Sequence, residues 1–246
     1  MMGQLRAGFA FAGLGCVALV LMACHAPGKP GPGPEVPRPS QVLDFATLYH
    51  QNCAACHGEN GHYGIAVSLA NPVYLALAGR DVLINYTAKG GPGELMPPFA
   101  RSYGGTLTDR QIEVLVDGMT GRWGHPGILA GLKPPPYAAA GKGDPTAGHA
   151  DFEQYCARCH GENAQQAAPT AWKSVQAGPI VNPNYLALIS DQSLRSTIIA
   201  GMPDEGMPDW REFGPKPLTD REVTDIVAWL ATMRQITPGQ PNAKQP

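Results

Sequence analysis

Apolar residues fall at helical intervals in two stretches far apart in the chain. Ile112, Leu115, Val116 and Met119 mark one face, and Val223, Ile226, Val227 and Leu230 repeat it. Each run follows the spacing of a capping box, Thr108 with Gln111 and Thr219 with Glu222, which predicts a helix opening just after each threonine. Further helices are predicted ahead of the two cysteine pairs, with Ser40 and Asp144 as caps and Pro145 at a favourable first position. No stretch alternates apolar and polar residues well enough to predict a sheet, so the fold class expected is all-α.

The repetition extends beyond these helices. Cys53-Ala54-Ala55-Cys56-His57-Gly58-Glu59-Asn60 returns 103 positions later, from Cys156 to Asn163, as Cys-Ala-Arg-Cys-His-Gly-Glu-Asn. Three further blocks return 111 positions later. Asn71-Pro72 with Tyr74-Leu75-Ala76-Leu77 matches Asn182-Pro183 with Tyr185-Leu186-Ala187-Leu188, Glu94 with Met96-Pro97 matches Glu205 with Met207-Pro208, and Leu107 to Arg110 matches Leu218 to Arg221. The second copy therefore carries eight extra residues between His160 and Asn182, read as a loop around Trp172.

Proline and glycine punctuate the repeat. The stretch from Gly124 to Pro145, with Pro134-Pro135-Pro136, suits an inter-domain linker. The expected organisation is two domains, 40–123 and 145–237, joined by a linker at 124–144 and followed by a flexible tail at 238–246. Residues 24–39, with prolines at 27, 30, 32, 34, 37 and 39, read as an extended tether.

Composition and charge narrow the picture. At 246 residues and 43% hydrophobic, the chain is long enough for two small cores. Lys and Arg number 18 against 20 Asp and Glu, with no basic run, so nucleic acid is not an expected partner. Arg6 and the apolar run Ala7 to Val20 read as an export signal spanning 1–23. It ends in Leu21-Met22-Ala23-Cys24, which resembles a bacterial lipobox. That resemblance implies cleavage before Cys24, acyl chains on its sulfur and amine, and a body tethered to a membrane outside the cytoplasm, on the periplasmic side. The alternative, an uncleaved span, is disfavoured by an apolar run short of the roughly 20 residues a bilayer needs. His25 after the lipidated cysteine, in place of an aspartate that retains lipoproteins at the inner membrane, favours the outer membrane.

The chemistry lies in the cysteine blocks. Cys-x-x-Cys-His is the attachment motif of c-type haem: two thiols add to porphyrin vinyl groups, and the adjacent imidazole coordinates iron. Cys53, Cys56 and His57 would serve one haem, and Cys156, Cys159 and His160 another. A shared four-cysteine zinc site and a thioredoxin-like thiol pair are rival readings that leave the repeated histidine unexplained. For the sixth ligand the candidates are Met96, 39 residues after His57, and Met207, 47 after His160, a difference equal to the eight-residue insertion. Met202-Pro203 is a local rival that aligns with Gly91. A methionine thioether would close the iron's open face and raise its potential. His62, His125 and His149 are expected to be solvated.

Taken together, these motifs resemble the class I c-type cytochromes, and specifically the tandem diheme proteins, from Ser40 to about Ile236. The resemblance implies two cytochrome-c-like helical domains, two covalently bound haem c groups with His and Met axial ligands, and the passing of single electrons between redox partners of a respiratory membrane complex. It also implies an aromatic four residues before each first cysteine, Tyr49 and Phe152, packed where first and last helices cross. Trp229 fits that crossing in the second half. The first half departs, with Gly118 in the matching position and Trp123 five residues on, so its crossing follows less directly from the resemblance than the second half's. Two closed irons would make the protein a relay and not an enzyme. The alternative is a diheme redox enzyme, a peroxidase or sulfur-compound oxidase, in which one axial ligand leaves.

Overall fold

The structure, a computed structural model, describes Gly33 and residues 35–91, 95–165 and 180–235. The expected signal, the expected lipid site Cys24, the loop at Trp172, the repeated Glu94 and the tail at 238–246 lie outside the described residues. The chain divides into two units, Met1–Arg38 and Pro39–Pro246. In the first, Gly33 and residues 35–38 are exposed and carry no regular secondary structure.

Nine α-helices lie among the described residues, with no strand and only two isolated bridges. The first half holds α1 (Phe45–Asn52), α2 (Ala54–His57), α3 (Pro72–Lys89) and α4 (Asp109–Trp123). The second holds α5 (Pro145–Tyr155), α6 (Ala157–His160), α7 (Pro183–Leu188), α8 (Asp191–Ala200) and α9 (Asp220–Thr232). None of these helices is long and apolar enough to cross a membrane.

Local chemistry accounts for most boundaries. Both capping boxes form as the sequence predicts, at Thr108 with Gln111 and at Thr219 with Glu222. Asp144 caps α5, and Pro145 opens it. Asp44, not Ser40, caps α1: its carboxylate accepts the Thr47 N–H at 2.8 Å. Ser40 is instead held in a single 3-10 turn, Pro39–Gln41, tied to α4 because the Gln111 amide donates to the carbonyls of Pro39 at 2.8 Å and Val42 at 3.0 Å. Gly79 (φ 73°, ψ 164°) kinks α3 at the position where, in the second half, Ser190 caps a separate helix. So α3 corresponds to α7 and α8 together.

The last helix of each half organises its core. α1 and α3 pack on α4, and α5 and α8 on α9, while α3 meets α8 across the halves. All eight apolar residues predicted from the helical spacing are buried. Burial of each such side chain is worth about 1.5–3 kcal/mol.

The expected aromatic crossing exists in both halves. Phe152 lies 4.7 Å from Trp229, ring centre to ring centre. In the first half, Trp123 reaches back from the end of α4, 5.0 Å from Tyr49 and 5.7 Å from Phe45, both edge-on. Trp123, further along α4, thus supplies an aromatic from the last helix to the first-half crossing. Arg195 of α8 fastens the linker, donating to the carbonyls of Pro136 at 2.8 Å and Tyr137 at 3.1 Å.

Candidate haem-binding sites

Each Cys-x-x-Cys-His segment is one helical turn grafted onto the preceding helix. The Cys53 N–H bonds to Tyr49 O at 2.8 Å and closes α1, while the N–H groups of Cys56 and His57 bond to Cys53 O at 3.2 and 3.0 Å and open α2. The second motif repeats this pattern: Cys156 N–H to Phe152 O at 2.8 Å, then Cys159 and His160 N–H to Cys156 O at 3.0 Å each. Residues three apart on a helical turn share a side, which places both sulfurs of a pair along one edge.

All four thiols are free of disulfides. Burial pushes Cys53 and Cys156 up to about 12, with the neighbouring thiol of each pair adding to the shift. A thiol redox pair needs a stabilised thiolate, so this environment disfavours the thioredoxin-like reading. Among the described residues no three or more His, Cys, Asp or Glu side chains gather as a metal site. The four cysteines, all described, therefore do not form a shared zinc site.

His57 is buried, and its Nδ1 lies 2.8 Å from the carbonyl of Val67. Burial lowers its affinity for a proton, the bond to Val67 opposing. In the neutral imidazole, Nδ1–H donates to that carbonyl and Nε2 keeps its lone pair for a metal. A tight loop delivers the carbonyl: Ala66 N–H bonds to Cys56 O at 2.9 Å, Ala70 N–H to Gly61 O at 2.9 Å, and the Tyr49 hydroxyl to Gly58 O at 2.8 Å. Gly58 turns with φ +80°, and a Cβ there would stand 1.8 Å from His62 O. In the second half, the His160 ring lies partly exposed, 6.5 Å from the Phe152 ring.

The two methionine loops close in the same register. Gly91 N–H bonds to Met96 O at 2.9 Å, and Met202 N–H bonds to Met207 O at 2.9 Å. Beyond the loops, Leu107 N–H to Phe99 O and Leu218 N–H to Trp210 O are again equivalent, at 2.8 Å each. Backbone geometry thus pairs Met207 with Met96, and Met202 with Gly91, at the offset read from sequence. Met96 and Met207 are both half-buried.

The remaining histidines behave unequally. His125 is exposed. His149 is not simply solvated: its ring stacks on Trp229 at 4.9 Å, and its Nε2 lies 3.0 Å from Asn163 Oδ1, because Trp229 presents a ring face beside the N-terminal turns of α5. His62 lies with its Nδ1 3.3 Å from Asp204 Oδ2 of the second half. Two features were invisible in the residue pattern: the carbonyl of Val67, which every residue type carries, and the bond of Asn71 Nδ2 to the second half, whose partners are 129 and 130 positions away.

The donor set fits haem c: paired thiols on one turn, then an imidazole oriented, in the first half, through its second nitrogen. Comparison with known proteins agrees. The family model described as "Cytochrome C oxidase, cbb3-type, subunit III" matches residues 40–117 and 143–230. The chain is similar to "Cbb3-type cytochrome c oxidase subunit CcoP" of Azospirillum sp. (strain B510), 27% identical over 213 residues, 80% of this chain. It spans 65% of that relative's length. Among solved structures it is similar to the "Kuenenia stuttgartiensis reducing HAO-like protein complex Kustc0457/Kustc0458", at 18% identity and a TM-score of 0.47, covering 82% of this chain and 100% of that one. Both matched family segments contain a Cys-x-x-Cys-His motif, and the chain belongs to the cbb3-type cytochrome c oxidase subunit III family as a tandem diheme c-type cytochrome of all-α fold.

Proposed function

We propose that this cytochrome relays single electrons between the redox partners of a respiratory membrane complex through two haem c groups, each with histidine and methionine as axial ligands. Cys53 and Cys56 would hold one group and Cys156 and Cys159 the other, each S–H adding across a vinyl group to leave a thioether. His57 and Met96 would ligate the first iron, and His160 and Met207 the second. Haem c supplies an iron that gains and loses one electron, and a thioether ligand favours its reduced state. The chain's own contribution is orientation and exclusion: Val67 O turns the His57 ring, and the matched backbone closures set both methionines at equivalent places.

The single observation that carries this reading is the equivalence of the two methionine loops. Two closed irons leave no position for a substrate. Export, attachment to the periplasmic face of a membrane through acylated Cys24, and docking on an oxidase complex complete the proposal. The similarity to an oxidase subunit supports that last element.

The test is the spectrum of the reduced holoprotein before and after carbon monoxide. No change is expected in the wild type, and binding at one haem each in Met96→Ala and Met207→Ala. Rapid binding by the wild type at either haem would sink the ligand assignment for that half and bring a diheme enzyme forward.

A further inference from the structure

We propose that Asn71 is a positioning residue for the Met207 ligand: an amide of the first half that holds the methionine loop of the second. This rests on Met207 being the axial ligand, as proposed above.

Asn71 is buried and serves two helices at once. Its Oδ1 accepts the N–H groups of Val73 at 2.9 Å and Tyr74 at 3.2 Å, capping the start of α3. Its Nδ2 donates to the carbonyls of Ala200 at 3.0 Å and Gly201 at 3.1 Å, capping the end of α8. The last carbonyls of a helix have no partner within it, so an outside donor fixes where the chain leaves the helix.

That exit leads directly to the ligand. After Gly201, Met202 exchanges both backbone bonds with Met207, N–H to O at 2.9 Å and O to N–H at 3.1 Å. Gly201 itself (φ +69°) is pressed against the returning chain, where a Cβ would stand 2.7 Å from Met207 O and 2.5 Å from Pro208 O. Movement of residue 201 is therefore movement of residue 207. A second contact reaches the same loop, with His62 Nδ1 3.3 Å from Asp204 Oδ2. Both His62 and Asn71 belong to the segment that follows the first cysteine motif, so the surroundings of the first haem support the ligand of the second. Outer partners of this kind are what hold a metal ligand in place.

Asn71→Ser keeps an oxygen that caps α3 and removes the reach to α8. The experiment uses the full-length reduced holoprotein. It reads the ring-current-shifted methyl signals of the two bound methionines by NMR, assigned with Met96→Ala and Met207→Ala, together with carbon monoxide binding at each haem. The expected result in Asn71→Ser is a shifted or broadened Met207 methyl, carbon monoxide binding to the second haem raised about tenfold by the loss of donors to buried carbonyls, and an unchanged Met96 methyl. His62→Ala, at a partly exposed position, should move the Met207 signal in the same direction and less, and it carries the test if Asn71→Ser does not fold. Met207 signals and binding rates at wild-type values in the variants overturn the proposal, as does a response at Met96 instead. A wild type with no bound-methionine signal from Met207 overturns the ligand assignment itself, a distinct failure.

Discussion

The ring of Phe45 fills the space that a side chain at Gly118 would occupy: a Cβ built on Gly118 stands 2.2 Å from the nearest ring carbon. In the repeat the two aligned positions exchange residue types, although the space beside Gly148 is taken by the backbone at Asp225 and not by a ring. Phe45 corresponds to Gly148 and Gly118 to Trp229, so the large residue sits on the first helix in one half and on the last helix in the other. At these two aligned positions each half thus keeps one bulky ring and one glycine.

Gly118→Ala should destabilise the protein by about 1–3 kcal/mol through overpacking against Phe45. Phe45→Ala should cost about 1.5–3 kcal/mol by removing a partly buried ring from beside Tyr49 and Trp123. Because the two residues share one space, the double variant should lose less than the sum of the singles. Denaturant melts of the four proteins check this, and strict additivity would show that the contact does not govern the crossing.

Arg195 is buried at the meeting of linker, α8 and α9. Its guanidinium donates to Pro136 O, Tyr137 O and Thr224 Oγ1 and pairs with Asp220. Arg195→Met should cost about 1.5–3 kcal/mol, from the loss of charge-assisted hydrogen bonds to the linker carbonyls. Limited proteolysis should then cut first in 124–144. Cleavage elsewhere would show that another contact holds the linker.

Glu222 gives the second half a pH dependence. Burial alone would raise its pKa, but bonds from Lys216, the Thr219 N–H and hydroxyl, and the Tyr155 hydroxyl outweigh that and bring it from 4.5 down to about 2. A carboxyl lowered in the folded state contributes stability that is present above 4.5 and lost as pH falls toward 2. Melts between pH 6 and 2 should show this slope in the wild type and a flatter one in Glu222→Gln. Equal slopes would count against the network.

Gly58→Ala should impair haem attachment at the first motif. The new methyl would meet His62 O at 1.8 Å, in a backbone conformation with φ +80° that disfavours a side chain. The haem-to-protein ratio should fall from two toward one. Gly79→Ala is the control, in nearly the same backbone conformation (φ 73°, ψ 164°) but with open space around the Cβ, and should retain both haems.

The sequence by itself determined what is local. Helix starts followed from side chains that cap their own backbone, as at Thr108, Thr219 and Asp144, and buried faces followed from a helical period that any core must respect. Haem attachment was legible because both thiols and the imidazole lie within five consecutive residues. Even the pairing of Met207 with Met96 needed only the arithmetic of the repeat. Where a nearby residue competed, as Asp44 did with Ser40, the reading missed, since the choice turned on Gln111 binding the Pro39 turn from another helix. Tertiary structure decided the rest: that Phe45 fills the space beside Gly118 with Trp123 packed edge-on to it, that Val67 O orients His57, and that Asn71 caps a helix of the other half. The physical reason is that a cap or a helical face is set within a turn or two of chain. A hydrogen bond or ring contact across many residues depends on which surfaces the fold brings together.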